Sequence, residues 1–347
     1  MRLLGRSLLV TAGMLLLAGA GPVSAAAPRL ATQAPIPYKR WSYPAQIPTG
    51  PIEAGNSPVL ANAGSGFLTL PFLGPHFVTS IFDHCNPTYV PDGRVCRFDG
   101  QQRTADGFDD PNPGGKDYLF YDGHDGMDYG LYYENVIAAA DGQVVFAAWD
   151  NPGCAKCGFG QNVFIDHGNG ILTRYAHLER IDVQQGQRVR RGQVIGQSGN
   201  TGSSTGEHVH FGVYLAAGRI AIDPYGWAGA GPDPWPKDIG NLWLGGAPRF
   251  PAVTLPQVAV SAQAQADDAT QIDVSWSSPG GGRFDVQVVR DGAPSSNWLS
   301  AVAAGGAHFS GQPGHLYSFL VTVKDDLGWA ATAISSDILA GRLSVAP

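Results

Sequence analysis

Apolar and polar residues alternate in short runs along most of this chain, and glycine or proline ends nearly every run. Residues 135–148 (NVIAAADGQVVFAA) hold two apolar runs around Asp141-Gly142, a pair that predicts a hairpin turn. Residues 162–166 (NVFID) and 171–177 (ILTRYAH) flank His167-Gly168-Asn169-Gly170, which predicts a second hairpin. Residues 181–194 place the short turns QGQ and RGQ between valines, and residues 208–215 (HVHFGVYL) alternate as a strand. No helical period holds for three turns between Gly123 and Leu215. The pattern therefore predicts a mainly β protein, with an antiparallel sheet folded over an open groove. Upstream, residues 67–82 contain the strand-like pieces LTLPFL and FVTSIF. Residues 83–122 then read as a long, polar, turn-dense insert, of a kind that is usually functional or mobile.

Beyond residue 223 the chain turns rich in Pro, Gly and Trp, and the later part of that stretch reads as a linker. Alternation resumes at residues 272–276 (IDVSW), 284–290 (FDVQVVR) and 317–324 (YSFLVTVK), with turns at 280–282 and at Asp291-Gly292. On Trp276 and the run 313–317 (PGHLY), this segment resembles a fibronectin type III module, which implies a β-sandwich acting as a spacer or as an attachment domain for a polymer or surface.

Composition narrows the class. The 347 residues include 47 Gly and 26 Pro but only 15% charged side chains, which suits a loop-rich β protein. The net charge of −7, without a basic run, argues against a nucleic-acid partner. Arg2 and Arg6, the apolar stretch 8–20 and Val23-Ser24-Ala25 have the form of an export signal cleaved near Ala25. No second apolar run is long enough to span a bilayer, so no stable membrane span is expected after cleavage, and the protein is expected to be secreted, periplasmic or in the cell envelope. The four cysteines fit an oxidising compartment, and proximity favours the pairs Cys85–Cys96 and Cys154–Cys157. The expected organisation is a signal peptide at 1–25, a linker or strap at 26–66 and a catalytic domain at 67–238, with core 78–224 and insert 83–122. A linker at 239–256 and the C-terminal module at 257–347 follow, in a chain expected to be monomeric.

The chemistry centres on His208-Val209-His210. Side chains alternate across a strand, so both imidazoles aim at one spot beside the Gly/Ser/Thr-rich loop 196–206. His124 and Asp128 lie in DGHDGMDYG, where Gly123, Gly126 and Gly130 favour a loop entering a strand over a helix. His124, Asp128 and one histidine of the pair would form a His₂Asp zinc set with one position left open for water. The residues alone leave open which histidine of the pair serves. They also leave His177 either catalytic or an edge-strand residue. Asp122 and Asp125 read as solvated turn carboxylates and His167 as a structural turn residue. His76 and His84 read as surface histidines, with a ligand from a lid as the alternative, and His308 and His315 as bystanders.

His124-x-x-x-Asp128, the segment 175–178 (YAHL) and the segment 203–211 (SSTGEHVHF) together resemble the signature motifs of the lysostaphin-like (LytM-type) zinc metallopeptidases, in order and spacing. So do ADGQV at 140–144, IDHGNG at 165–170, and the GQRV and GQVIG runs at 186–196. The resemblance covers about residues 78–224. It implies Zn²⁺ held by His124, Asp128 and His210, with His177 and His208 as the catalytic histidines that are not ligands. It further implies hydrolysis of peptide bonds in bacterial peptidoglycan, in a cross-bridge or stem peptide, by metal-activated water. A wall-binding or regulatory protein that keeps the fold without catalysis is the alternative. The sequence departs from the family pattern at Gly212, where a Glu often follows HxHF, at Glu207 in place of Pro, and at 131–135 (LYYEN) in place of a Gly/Pro turn. None of these is a ligand, so the departures bear on groove shape. The insert at 83–122 would wall the groove or cover it as an inhibitory lid.

Overall fold

The structure is a computed structural model, described here for residues 66–104, 119–237 and 239–341. The expected signal peptide, all but Gly66 of the strap, and residues 105–118 of the insert lie outside the described residues. Antiparallel strands make up almost all of the regular structure, as the pattern predicts.

The first body holds β1 (Val78–Ser80), β2 (Arg94–Cys96), β3 (Gln102–Thr104), β4 (Gly126–Tyr129), β5 (Asn135–Ile137) and β6 (Gly142–Trp149). It continues through β7 (Gln161–Asp166), β8 (Ile171–Ile181), β9 (Arg188–Val189), β10 (Val194–Ser198), β11 (Val209–Leu215) and β12 (Ile220–Ile222). A ten-stranded sheet runs in the order β1-β4-β11-β8-β7-β6-β9, with β10 joined to β5 and β8, and β12 to β11. One face of the central strands closes a core around Tyr175, Phe211, Val213, Ile165 and Trp243. β2 and β3 form a separate small ladder inside the insert, stapled by Cys85–Cys96, and Cys154–Cys157 staples the loop between β6 and β7.

The His167–Gly170 turn joins β7 to β8 as expected, with both glycines at positive φ. Asp141-Gly142 is not a hairpin turn. β5 pairs with β10, and β6 pairs with β7 and β9. Gly142 is needed for close approach: a Cβ there would lie 2.5 Å from the Asp166 carbonyl oxygen. The turn signal and the packing signal are the same residue, and packing claims it.

The C-terminal body has the strands β13 (Ala259–Ala264), β14 (Gln271–Ser277), β15 (Arg283–Arg290), β16 (Ser296–Val302), β17 (Gly305–Ser310), β18 (His315–Lys324), β19 (Ala330–Ile334) and β20 (Ile338–Ala340). They form two sheets, β13-β14-β17 and β16-β15-β18-β19 with β20 beside β18. Inward residues alternate along each strand, Ile272, Val274 and Trp276 on one sheet and Phe284, Val286 and Val288 on the other, and fill a sandwich core. The expected linker at 239–256 is partly core. Leu242 and Trp243 are buried in the first body, where Leu68 bridges to Trp243. An apolar Leu-Trp pair gains more by burial than a tether would by leaving it in water. The turn between β18 and β19 also docks on the first body. Leu327 and Trp329 pack with Ile137, Val194, Leu73 and Val253, and the Trp329 indole N–H donates to the Gly192 carbonyl at 3.0 Å.

Candidate metal and catalytic site

β4 and β11 are antiparallel neighbours, and Asp128 stands directly opposite His210. Directly opposed residues share a face, so both side chains leave the sheet on the side away from Phe211 and the core. His124 enters from the loop just before β4. His210 Nδ1 lies 3.1 Å from His124 Nε2 and 3.0 Å from Asp128 Oδ1, and His124 Nε2 lies 3.2 Å from that oxygen. Three donor atoms on one ion at zinc bond lengths stand about 3.3 Å apart. These three could therefore share one ion with little rearrangement, and they form the candidate metal group among the described residues.

The far side of each imidazole supports this fit. His124 Nδ1–H donates to the Ile81 carbonyl at 2.8 Å, which leaves Nε2 as its lone-pair nitrogen. His210 turns Nδ1 toward Asp128, while its Nε2 is buried 3.2 Å from Asp125 Oδ1, without hydrogen-bond alignment. Gly126 lets the backbone lie against this ring: a Cβ there would be 2.7 Å from His210 Cε1.

His177 and His208 stand beside the group, with ring centroids 4.7 Å apart. Each is tied through Nδ1, His177 to the Thr201 carbonyl at 2.7 Å and His208 to the Gly206 carbonyl at 2.9 Å. Nε2 of His208 points to Asp128 Oδ2 at 3.7 Å. His177 reaches this face through a bulge. Between the pairs Gln161↔Leu178 and Val163↔Tyr175, two β8 residues face a single β7 residue, and His177 has φ of 60°. A left-handed non-glycine residue costs about 1 kcal/mol or more, and here it re-aims a side chain that plain alternation would send into the core.

Strong mutual fields operate among these groups. Burial opposes the charged form of His210, but Asp125 and Asp128 outweigh it and lift its pKa to about 9. Burial likewise pushes Asp125 up, but His210, Arg174 and the Tyr214 hydroxyl bring it down to about 2. Burial and the neighbouring His208 and His210 hold His177 well below the usual imidazole range, so it is neutral.

Asp122 and Asp125 are not solvated turn residues; both are buried. Asp122 accepts the backbone N–H groups of Asp92 and Gly93, both at 3.1 Å, and Asp125 accepts the hydroxyls of Tyr89 and Tyr214, both at 2.7 Å. His84 is fully buried, not on the surface, between Asp223 at 3.0 Å and Asp233 at 2.9 Å. His167 lies away from the group, bonded to the Asp141 carbonyl and the Thr173 hydroxyl, and His308 and His315 pair with Asp273 and Asp291 in the sandwich. Sequence reasoning misses Phe159, whose ring lies 5.2 Å from that of His210 and beneath the Arg174 guanidinium at 3.6 Å. No period marks that residue, since it sits in a cystine loop.

A sequence profile of Peptidase family M23 matches residues 122–224, the stretch that holds all five of these side chains. The peptidoglycan DD-endopeptidase ShyA of Vibrio cholerae is 41% identical over 88 residues, 25% of this chain and 19% of that protein. A glycyl-glycine endopeptidase of Staphylococcus capitis is 37% identical over 90 residues, 25% of this chain and 24% of that protein. The chain thus spans about a fifth to a quarter of the length of these relatives. The solved catalytic domain of lysostaphin from Staphylococcus simulans is 33% identical over 27% of this chain and 68% of that one, with a TM-score of 0.25.

Proposed function

Taking residues 122–224 as a Peptidase family M23 domain, we propose that the protein is an exported zinc endopeptidase that hydrolyses peptide bonds of bacterial peptidoglycan. One observation carries this reading: donor atoms of His124, Asp128 and His210 converge at 3.0 to 3.2 Å beside two more imidazoles, each anchored by Nδ1. The names of the relatives supply the substrate class.

His124, Asp128 and His210 would hold the zinc. When bound, the ion supplies a Lewis acid that polarises a peptide carbonyl and acidifies a water. The protein supplies the rest. The anchored Nδ1 atoms leave Nε2 of His177 and of His208 to receive the proton of the attacking water and return it to the leaving amine. Burial keeps His177 neutral, so its free nitrogen is an acceptor at the start of the cycle. In this reading His208 is the general base or its orienting partner. The C-terminal sandwich is a fibronectin type III-like module that carries the catalytic body to a polymer or surface.

The test is substitution with the metal measured alongside. His177→Ala and His208→Ala should each lower kcat on defined muropeptides by about 10²- to 10⁴-fold while retaining one zinc. Full turnover by zinc-loaded His208→Ala would remove that residue from the mechanism. His210→Ala should lose zinc and activity together.

A further inference from the structure

We infer that the cystine-stapled loop 85–96 is a working part of the metal site, with Tyr89 and Tyr214 clamping Asp125 so that Asp125 positions His210. This rests on the zinc reading above.

Asp125 is buried, and each of its oxygens is claimed. Oδ1 accepts the Tyr89 hydroxyl at 2.7 Å and lies 3.2 Å from His210 Nε2, and Oδ2 accepts the Tyr214 hydroxyl at 2.7 Å. A carboxylate held at two points cannot swing away from the imidazole it faces. Its negative charge, 3.2 Å from Nε2, favours the proton on that nitrogen and the ring orientation that keeps it there, so that the Nδ1 lone pair faces Asp128 and His124. The clamp acts on the metal group through His210, the ring that Asp125 faces. Asp125, Tyr89 and Tyr214 are positioning residues.

The clamp also accounts for Gly212. A Cβ at Gly212 would stand 2.5 Å from the Tyr214 hydroxyl oxygen, so any side chain there would drive the phenol off Asp125. The glycine that departs from the family pattern leaves room for the Tyr214 arm. Tyr89 forms the other arm and belongs to the insert. Its segment is fixed at both ends: Cys85 is bonded to Cys96, and Asp122 accepts the N–H groups of Asp92 and Gly93. Its ring lies edge-on to His124 and to Phe159, at 6.2 and 5.8 Å. The insert thus reaches the back of one ligand and packs against a second.

The test measures zinc binding to the purified chain by competition with a chromogenic chelator, for the unaltered chain and for Asp125→Asn, Tyr89→Phe and Tyr214→Phe. Two further readouts are the melting of metal-stripped protein and the visible spectrum of the cobalt-loaded form. Asp125→Asn should weaken zinc about 10- to 100-fold and shift the cobalt bands. Each phenylalanine variant should weaken zinc about fivefold. Asp125→Glu should recover part of the loss, and metal-stripped melting should stay within about 2 °C for the phenylalanine variants. Zinc affinity within twofold of the unaltered chain in Asp125→Asn overturns the inference. So does a loss of affinity that merely tracks falling metal-stripped stability with cobalt bands unmoved. If the unaltered chain binds no zinc, the zinc reading itself fails, and that outcome is distinct from the other two.

Discussion

Gly126 and His210 illustrate how closely single residues govern this site. The backbone at 126 lies against the imidazole, and a methyl group there would sit 2.7 Å from Cε1. The same methyl would sit 2.8 Å from the Phe211 carbonyl oxygen, so the ring and the β4–β11 pairing must both shift. Gly126→Ala should therefore weaken zinc by more than tenfold in a protein that still folds, read as zinc stoichiometry after dialysis beside an unchanged far-ultraviolet spectrum. At this scale the sequence was legible wherever strand period alone decides direction. His208 and His210 share a face because a strand alternates, and Asp128 falls opposite His210 through simple antiparallel register. His177 was legible as a candidate but not in its aim, which depends on an extra residue in β8 and a left-handed φ. Asp125 was not legible as a buried group. Its burial comes from Tyr89 and Tyr214, which are 36 and 89 residues away.

The described part of the insert before β4 is irregular in backbone and heavily tied by side chains. Asp83 accepts the N–H groups of Cys85, Cys96 and Gly123 at 2.9 to 3.0 Å. His84 bridges Asp223 and Asp233 and so joins the insert to the stretch after β12. Burial disfavours charge on His84, but its two carboxylate partners outweigh that and raise its pKa above the ordinary value. A histidine raised on folding stabilises fully below its unfolded pKa, about 6.5, and that share is lost as pH climbs through the folded value. The stability difference between the unaltered chain and His84→Gln should thus be largest below the ordinary histidine pKa and shrink as pH rises above it, by urea unfolding at each pH. A difference that grows with pH would contradict the paired imidazolium. Composition announced an insert rich in turns. It did not announce the hairpin of β2 and β3, whose strands are only three residues each, or a buried histidine whose partners, Asp223 and Asp233, lie outside the insert. The Asp141-Gly142 signal failed for a related reason: glycine serves turns and close approaches alike, and only the neighbouring strand tells them apart.

The whole molecule joins a β body with the candidate site to a β-sandwich through more than a tether. Val194 donates its N–H to the Leu327 carbonyl at 2.7 Å, and Trp329 is nearly buried against β5 and β10. Trp329→Ala removes that anchor at a cost of about 3–5 kcal/mol, and calorimetry should then separate the two transitions further than in the unaltered chain. Each body has its own alternating strands, the feature that sequence patterning reads. That patterning could not show the dock, because a turn reading DDLGW looks solvent-facing until its partner surface is known. Among the described residues no helix is long and apolar enough to cross a membrane. The most direct test of the central claim is product analysis by mass. The chain lacking residues 1–25 would be loaded with zinc, its metal counted, and incubated with purified peptidoglycan beside a metal-stripped control. One zinc per chain, with one water added across a peptide bond only in the loaded sample, is the predicted result. Stoichiometric zinc with intact peptide bonds, or equal cleavage after the metal is stripped, would contradict it.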